Sequence, residues 1–417
     1  MPVISIISFT VFFLLIATSF KKSADLFSPS RVFGLVWSLT IGLTELKLSR
    51  LQHVWNSYEW LMLSIGIVSF FLGTFIMYVS NFQKKIIPLN SIRLFFTKKV
   101  VDEKKFRNIV FILFGVYVVS FLGNYLIEGY LPVFHERSAQ ARMYWGVFGI
   151  GLTVHVATPL ILFVVTFIKL AKPTRLTKYS CVIIIFITFF TYLTILQRFN
   201  LIFAIVAVVT ILYYSSNFLK VKNVLIAMAI FIGLMYSVQF LRFSNIALSY
   251  MYSVAQMKFN FKYAIFTEPY MYFVMNLENL VTGFRLLEEH TYGYFTFEFL
   301  LSLFGIKNLA VDYFNFKNFL FLKSSYNTYS MFWDYYRDFG TIGLSLIPFS
   351  LGLLSSTIYY KMRMNPSLVL ISSYSIIMFV ICISFFENTI GLLHFIFNTV
   401  LIVLLARYVQ LKVYSAN

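Results

Sequence analysis

This chain is short of charge. Only 12% of its 417 residues are Asp, Glu, Lys or Arg, against roughly 25% in soluble domains. That excludes an ordinary soluble fold. Acids are the scarcer sign, 16 against 34 basic residues, for a formal net charge of +18. Cysteine is nearly absent. Cys181 and Cys382 both sit in apolar runs, so neither a disulfide framework nor a CxxC motif exists. The five histidines show no metal-ligand spacing, and no DxD-like pair falls on the face assigned below as outer. No metal and no cofactor is therefore expected. No repeat, low-complexity tract or Pro/Gly linker divides the chain. The apolar run 3–20 lacks a preceding basic region and a following small-residue cleavage site, so it reads as a first span rather than a signal peptide.

What remains is apolar: 59% hydrophobic, 20% aromatic, mean hydropathy +0.80. Only a polytopic membrane protein fits. The expected fold is all-α, a helix bundle with about eleven spans. They fall near residues 3–20, 31–46, 59–80, 108–127, 149–169, 179–196, 199–214, 222–241, 340–360, 367–386 and 389–406. The chain reads as one membrane domain, 1–417. Spans one to eight occupy 1–241, a long loop with interfacial helices occupies 242–339, and spans nine to eleven occupy 340–417.

Basic loops set the orientation. The loop 81–107 carries Lys84, Lys85, Arg93, Lys98, Lys99, Lys104, Lys105 and Arg107 against Asp102 and Glu103, so it is assigned to the cytoplasm. Alternation then puts Lys21/Lys22/Arg31, Lys172/Arg175/Lys178, Lys220/Lys222, Lys361/Arg363 and the C-terminal Arg407 and Lys412 on the same side. The N-terminus, 128–147 and 242–339 are expected outside. The basic surplus is thus topological and faces anionic lipid; no nucleic-acid partner is expected.

The loop 242–339 stands out. It holds half of all acids (Glu268, Glu278, Glu288, Glu289, Glu298, Asp312, Asp334, Asp338), matched by Arg242, Lys258, Lys262, Arg285, Lys307, Lys317, Lys323 and Arg337. Loops beyond about 12–15 residues are uncommon and usually functional. The run Tyr294–Ile306 is too short to span and suits an interfacial or re-entrant helix. In Tyr326–Gly343, helical spacing puts Asp334, Arg337 and Asp338 on one face. They form either a catalytic group, with a carboxylate as general base, or a self-neutralising cluster. Asp338-Phe-Gly matches a kinase tripeptide, but no Gly-rich loop accompanies it. Arg198, in the turn Leu196–Asn200, and Arg242, where the eighth span ends, sit at the expected outer surface. Each is either a phosphate ligand or a snorkelling interface arginine. His290 and Arg285 lie in Phe284–Gly293. Glu387 is either within reach of such a site or an acid favoured by a helix dipole. Glu45 reads as an interfacial acid and His155 as a hydrogen-bonded bundle residue.

Asn327–Thr328 followed by Tyr336-Arg-Asp-Phe-Gly-Thr-Ile-Gly343 resembles the oligosaccharide repeat-unit polymerase family (Wzy type). Arg198 and the Arg242 region also match it, although Gln197-Arg198-Phe199 departs from the family's small-residue–Arg pattern. The resemblance implies a GT-C-like helical fold. It implies a metal-independent glycosyltransferase of the bacterial plasma membrane, whose donor and acceptor are both undecaprenyl-diphosphate-linked glycans, with membrane lipids and a chain-length regulator as partners. On it, Asp338, Arg198 and Arg242 are expected to be catalytic, and Arg285, His290, Asn327, Asp334, Tyr336, Arg337 and Glu387 to bind substrate. O-antigen ligase and lipid-linked oligosaccharide flippase remain the alternatives.

Overall fold

The computed structural model describes residues 3–411 except 22, 23, 99, 218, 220, 221, 225, 227–244, 308 and 310–319. Among the described residues the chain is helical, with no strand and two isolated β-bridges, Ser49 to Met257 and Val101 to Gln410. In chain order the helices are α1 Val3–Ser19, α2 Pro29–Thr44, α3 Ser57–Ser80, α4 Leu89–Phe95, α5 Glu103–Glu128, α6 Ser138–Tyr144, α7 Ile150–Val154, α8 Ala157–Leu170, α9 Arg175–Leu193 and α10 Arg198–Ser215. Then follow α11 Asn245–Val254, α12 Thr267–Leu286, α13 Glu298–Leu303, α14 Phe332–Met364, α15 Leu368–Ile383 and α16 Leu393–Val409.

Local sequence explains where these helices begin. Asn56 and Glu59 close a capping box at α3, satisfying backbone donors that would otherwise be orphaned. Asp102 accepts Lys105 N–H ahead of α5, and Thr174 does the same for α9. Gly129, at φ +75°, ends α5 in the left-handed conformation that costs glycine nothing.

Among the described residues six helices are long and apolar enough to cross a membrane: α3, α5, α7 together with α8, α9, α10 and α14. Their unpartnered faces carry apolar side chains. In α5, Ile112, Val119 and Leu126 are exposed at heptad spacing, and in α3 so are Leu61, Val68, Leu72, Phe75 and Val79. Lipid solvates such stripes where water does not. The other expected spans differ. α1, α15 and α16 are apolar but shorter. The span expected at 31–46 is α2, a 16-residue helix, and 222–241 lies almost wholly outside the described residues, as does Arg242.

The chain divides into two compact units. Unit 1 comprises Met1–Lys84, Lys220–Tyr359 and Val380–Leu393. Its core is aromatic. Phe33 stacks on Phe70 at 3.9 Å and Trp37 on Phe332 at 4.6 Å. Trp37 Nε1 donates to Ser384 Oγ at 3.0 Å. α3 and α14 meet backbone to backbone. A Cβ added at Gly73 would stand 2.2 Å from the Phe349 carbonyl oxygen, and one at Gly352 2.2 Å from that of Phe70.

The segment expected as a long loop is more than a loop. α12, 20 residues long, is buried along most of its length, from Tyr270 through Phe284. Within 294–306 only α13 is helical, and Leu300, Leu303 and Phe304 are exposed, as an interfacial piece requires. Unit 2 comprises Lys85–Leu219, Tyr360–Phe379 and His394–Asn417. Phe106 packs on Phe163 and Phe167, and Phe203 stacks on Phe379 at 4.5 Å.

Candidate functional site

The start of α14 gathers one group of charged residues of unit 1. The helix is broken at Gly340, where φ is +60° and ψ −144°, a backbone essentially closed to side-chain-bearing residues. Before the break, Trp333 lies flat against Gly283 of α12, where a Cβ would meet its ring at 2.0 Å, and stacks on Tyr329 at 4.6 Å. One turn on, the buried Arg337 places its guanidinium 4.2 Å from the Phe295 ring and 5.7 Å from that of Trp333. Such cation–π contacts hold an arginine in place while its charge persists.

Asp338 is fully buried. Its carboxylate accepts from the Thr291 hydroxyl, from Phe295 N–H at 3.2 Å and from Thr296 N–H at 2.6 Å. The carbonyls of Arg337 and Asp338 accept from Thr291 N–H at 3.0 Å and Tyr292 N–H at 3.1 Å. Asp338 thus fastens the segment 291–296 to the helix. His290 Nδ1 lies 3.2 Å from the Arg337 carbonyl, and its ring fills the space a Cβ would need at Gly340. Tyr292, at φ +47°, and Gly293, at φ +100°, make the turn that permits this.

The other carboxylates are less enclosed. Asp334 is partly exposed and within electrostatic reach of Asp338, Glu298 and Glu387. Glu387 is also partly exposed. Burial, and then the charge of Glu298, push its carboxyl up to about 7. Lys307 pairs with Glu298, and Tyr335 donates to Asn388 Oδ1 at 3.1 Å. Burial, followed by Glu298, pushes the Tyr294 phenol up to about 12 despite the opposing charge of Arg337.

Of the residues singled out in the sequence, Asp334, Arg337, Asp338 and Glu387 therefore come together, with His290 beside them. Tyr336 is buried, its hydroxyl 3.1 Å from that of Tyr58. Arg285 is exposed at the end of α12. Asn327 is exposed too, between two residues whose carbonyls accept from Asn279 Nδ2 at 2.7 and 2.9 Å. Arg198 opens α10 in unit 2, next to the hydrogen-bonded network of the buried Asn200 and Tyr192 with the half-buried His155. Arg242 lies outside the described residues. Among the described residues no three His, Cys, Asp or Glu side chains cluster so as to hold a metal ion.

Sequence reasoning passed over a second charged cluster in unit 1. Glu278 of α12 is fully buried. Lys47 Nζ, at 2.8 Å, and Gln52 Nε2, at 3.3 Å, reach its Oε1. Trp55 Nε1, at 3.3 Å, and His53 Nδ1, at 3.1 Å, reach Oε2. His53 Nε2 lies 3.3 Å from Oε1 of the buried Glu59, and Lys47 is 3.0 Å from Glu45. Burial acts to raise the Glu278 pKa. The His53 hydrogen bond and the Lys47 charge outweigh it, and the carboxyl sits below its ordinary value. The one signal in the sequence was an acid among mixed apolar and Asn residues in Val274–Val281. Its partners lie in a separate stretch of chain, and no spacing rule links the two.

No protein-family model matches this chain, and no curated protein or solved structure matches it either.

Proposed function

We propose that the protein is a glycosyltransferase that joins undecaprenyl-diphosphate-linked oligosaccharide repeat units at the outer face of the bacterial plasma membrane. The observation that carries the reading is the group at the start of α14. A buried arginine there is held by aromatic rings beside partly exposed carboxylates, one of them with its pKa near neutrality. A base poised near the working pH is what deprotonation of a sugar hydroxyl asks for. Glu387, with Asp334, takes the proton of the acceptor hydroxyl. The hydroxyl oxygen bonds the anomeric carbon as the bond to the lipid diphosphate breaks, and the diphosphate leaves with the electron pair. Arg337 balances the local charge, and Asp338 fixes the frame. Arg198 and Arg242, as ligands of the leaving diphosphate in place of a metal, enter on the sequence resemblance alone.

The reading includes the eleven-span layout, with 242–339 extracytoplasmic and the C-terminus cytoplasmic. The product is O-antigen, capsule or exopolysaccharide. The His155–Tyr192–Asn200 network favours a second reading, a lipid-linked oligosaccharide transporter, because intramembrane polar chains often mark transport paths. A deletion strain separates the two. Single repeat units on the cell surface support the polymerase, cytoplasmic accumulation of lipid-linked units supports the transporter, and full-length unattached chains support a ligase.

A further inference from the structure

The stretch between α2 and α3 is clasped to α12 by side chains that the site above does not use. Both ring nitrogens of His53 face carboxylate oxygens, Nδ1 at 3.1 Å from Glu278 and Nε2 at 3.3 Å from Glu59. Ionised carboxylates only accept hydrogen bonds, and a neutral imidazole has a single N–H. The geometry is satisfied on both sides only by the imidazolium. Glu59 is on the first turn of α3, next to Tyr58. Tyr58 meets the Tyr336 hydroxyl at 3.1 Å, and Tyr336 adjoins Arg337 on the helix that carries the site.

We propose that His53 is a positioning residue. As an imidazolium it ties Glu59 to Glu278, and through the first turn of α3 it sets Tyr58 against Tyr336. The clasp gains its meaning for catalysis from the glycosyltransferase reading, but it is testable without any substrate.

The charges around His53 determine how the clasp responds to pH. α12 contributes Glu278 and Tyr270, whose hydroxyl donates to Gln52 Oε1 at 2.7 Å. α3 contributes Glu59. The connecting stretch contributes Lys47 and Glu45, and Lys258 Nζ holds the Lys47 carbonyl at 2.8 Å. With His53 charged, the Lys47 and His53 cations face the Glu45, Glu59 and Glu278 carboxylates. Once its proton leaves, Lys47 still pairs with Glu45 and Glu278, and Glu59 loses the cation that faces it. The Glu278 hydrogen bond raises the His53 pKa, burial lowers it by less, and Glu59 adds to the rise, so the net value lies above 6.5. A histidine whose folded pKa is raised stabilises fully below its unfolded value and loses that contribution as pH rises through the folded value. The clasp is therefore closed at mildly acidic pH and loosens toward alkaline pH.

Hydrogen exchange of the full-length protein in lipid nanodiscs, corrected for the intrinsic pH dependence of exchange, reads this directly. Peptides covering 46–60 and 267–286 should lose protection in a step with its midpoint above pH 6.5. His53→Gln should be unprotected throughout, with no step. His53→Arg, a permanent cation, should stay protected with no step. Glu59→Gln should move the midpoint down. A wild-type profile without a step, or a step retained in His53→Gln, overturns the clasp. With lipid-linked glycan supplied, elongation should fall on the alkaline side in wild type and stay level there in His53→Arg. An alkaline fall unchanged in His53→Arg overturns the positioning role. A protein that shows the step but elongates no glycan supports the clasp and removes only the functional reading.

Discussion

Asp338 and Glu387 are both carboxylates of unit 1, and their surroundings are opposite. Asp338 has no exposed surface and binds three donors, so Asp338→Asn takes an acceptor from Phe295 N–H or Thr296 N–H. A buried donor left unsatisfied costs about 1–3 kcal/mol, and thermal unfolding of the variant should show a loss of that order together with reduced activity. Glu387 is partly exposed with its carboxyl near 7. Because the ionised form is the base, the acid limb of the elongation profile should rise through about 7, with the alkaline fall set by His53 bounding it from above. Glu387→Gln should abolish that rise and most of the activity while leaving the unfolding temperature close to wild type. Equal pH profiles for wild type and Glu387→Gln would remove Glu387 as base. The spacing of Asp334, Arg337 and Asp338 was legible in the sequence because helical periodicity is a local rule. Which carboxylate is enclosed was not, because the enclosing donors come from Thr291–Thr296, outside the helix.

At the scale of elements, glycine and aromatic packing hold the site helix in place. Gly73 and Gly352 let α3 and α14 touch through their backbones. Gly352→Leu forces a side chain into the Phe70 carbonyl, and overpacking of this kind costs about 1–3 kcal/mol or more. Gly283→Ala sets a methyl group into the Trp333 ring, which should lower both stability and activity, because Trp333 also supports Arg337. The unfolding midpoints of both variants measure this. A wild-type midpoint for Gly352→Leu would contradict the close helix contact. The apolar runs that form α3, α5, α9 and α10 were readable as helices because each is long and uninterrupted. α12 was not, since its alternation of Asn276, Glu278 and Asn279 with apolar residues resembles a polar loop. Its polar groups are instead consumed by partners from residues 47–55 and 322–328, contacts that exist only once the chain has folded. The Glu278–His53–Glu59 chain escaped notice for the same reason.

At the scale of the whole molecule, composition alone carried the class. A 12% charged chain with six helices, among the described residues, long and apolar enough to span has the make-up of a membrane protein, and the asymmetry of basic residues around 81–107 predicts which side faces in. Cysteines introduced at Lys98 and at the exposed Asn327 should react with an impermeant thiol reagent from opposite sides, Asn327→Cys from outside intact spheroplasts. Labelling of Lys98→Cys from outside would reverse the orientation and move the site to the cytoplasm. The central claim is that this fold lengthens glycans on a lipid diphosphate. The most direct test is purified protein in liposomes with a synthetic undecaprenyl-diphosphate-linked repeat unit and excess EDTA. The account predicts a ladder of lengthening products from wild type and single units from Glu387→Gln; folded wild-type protein that leaves only single units, with or without added divalent cations, would contradict it.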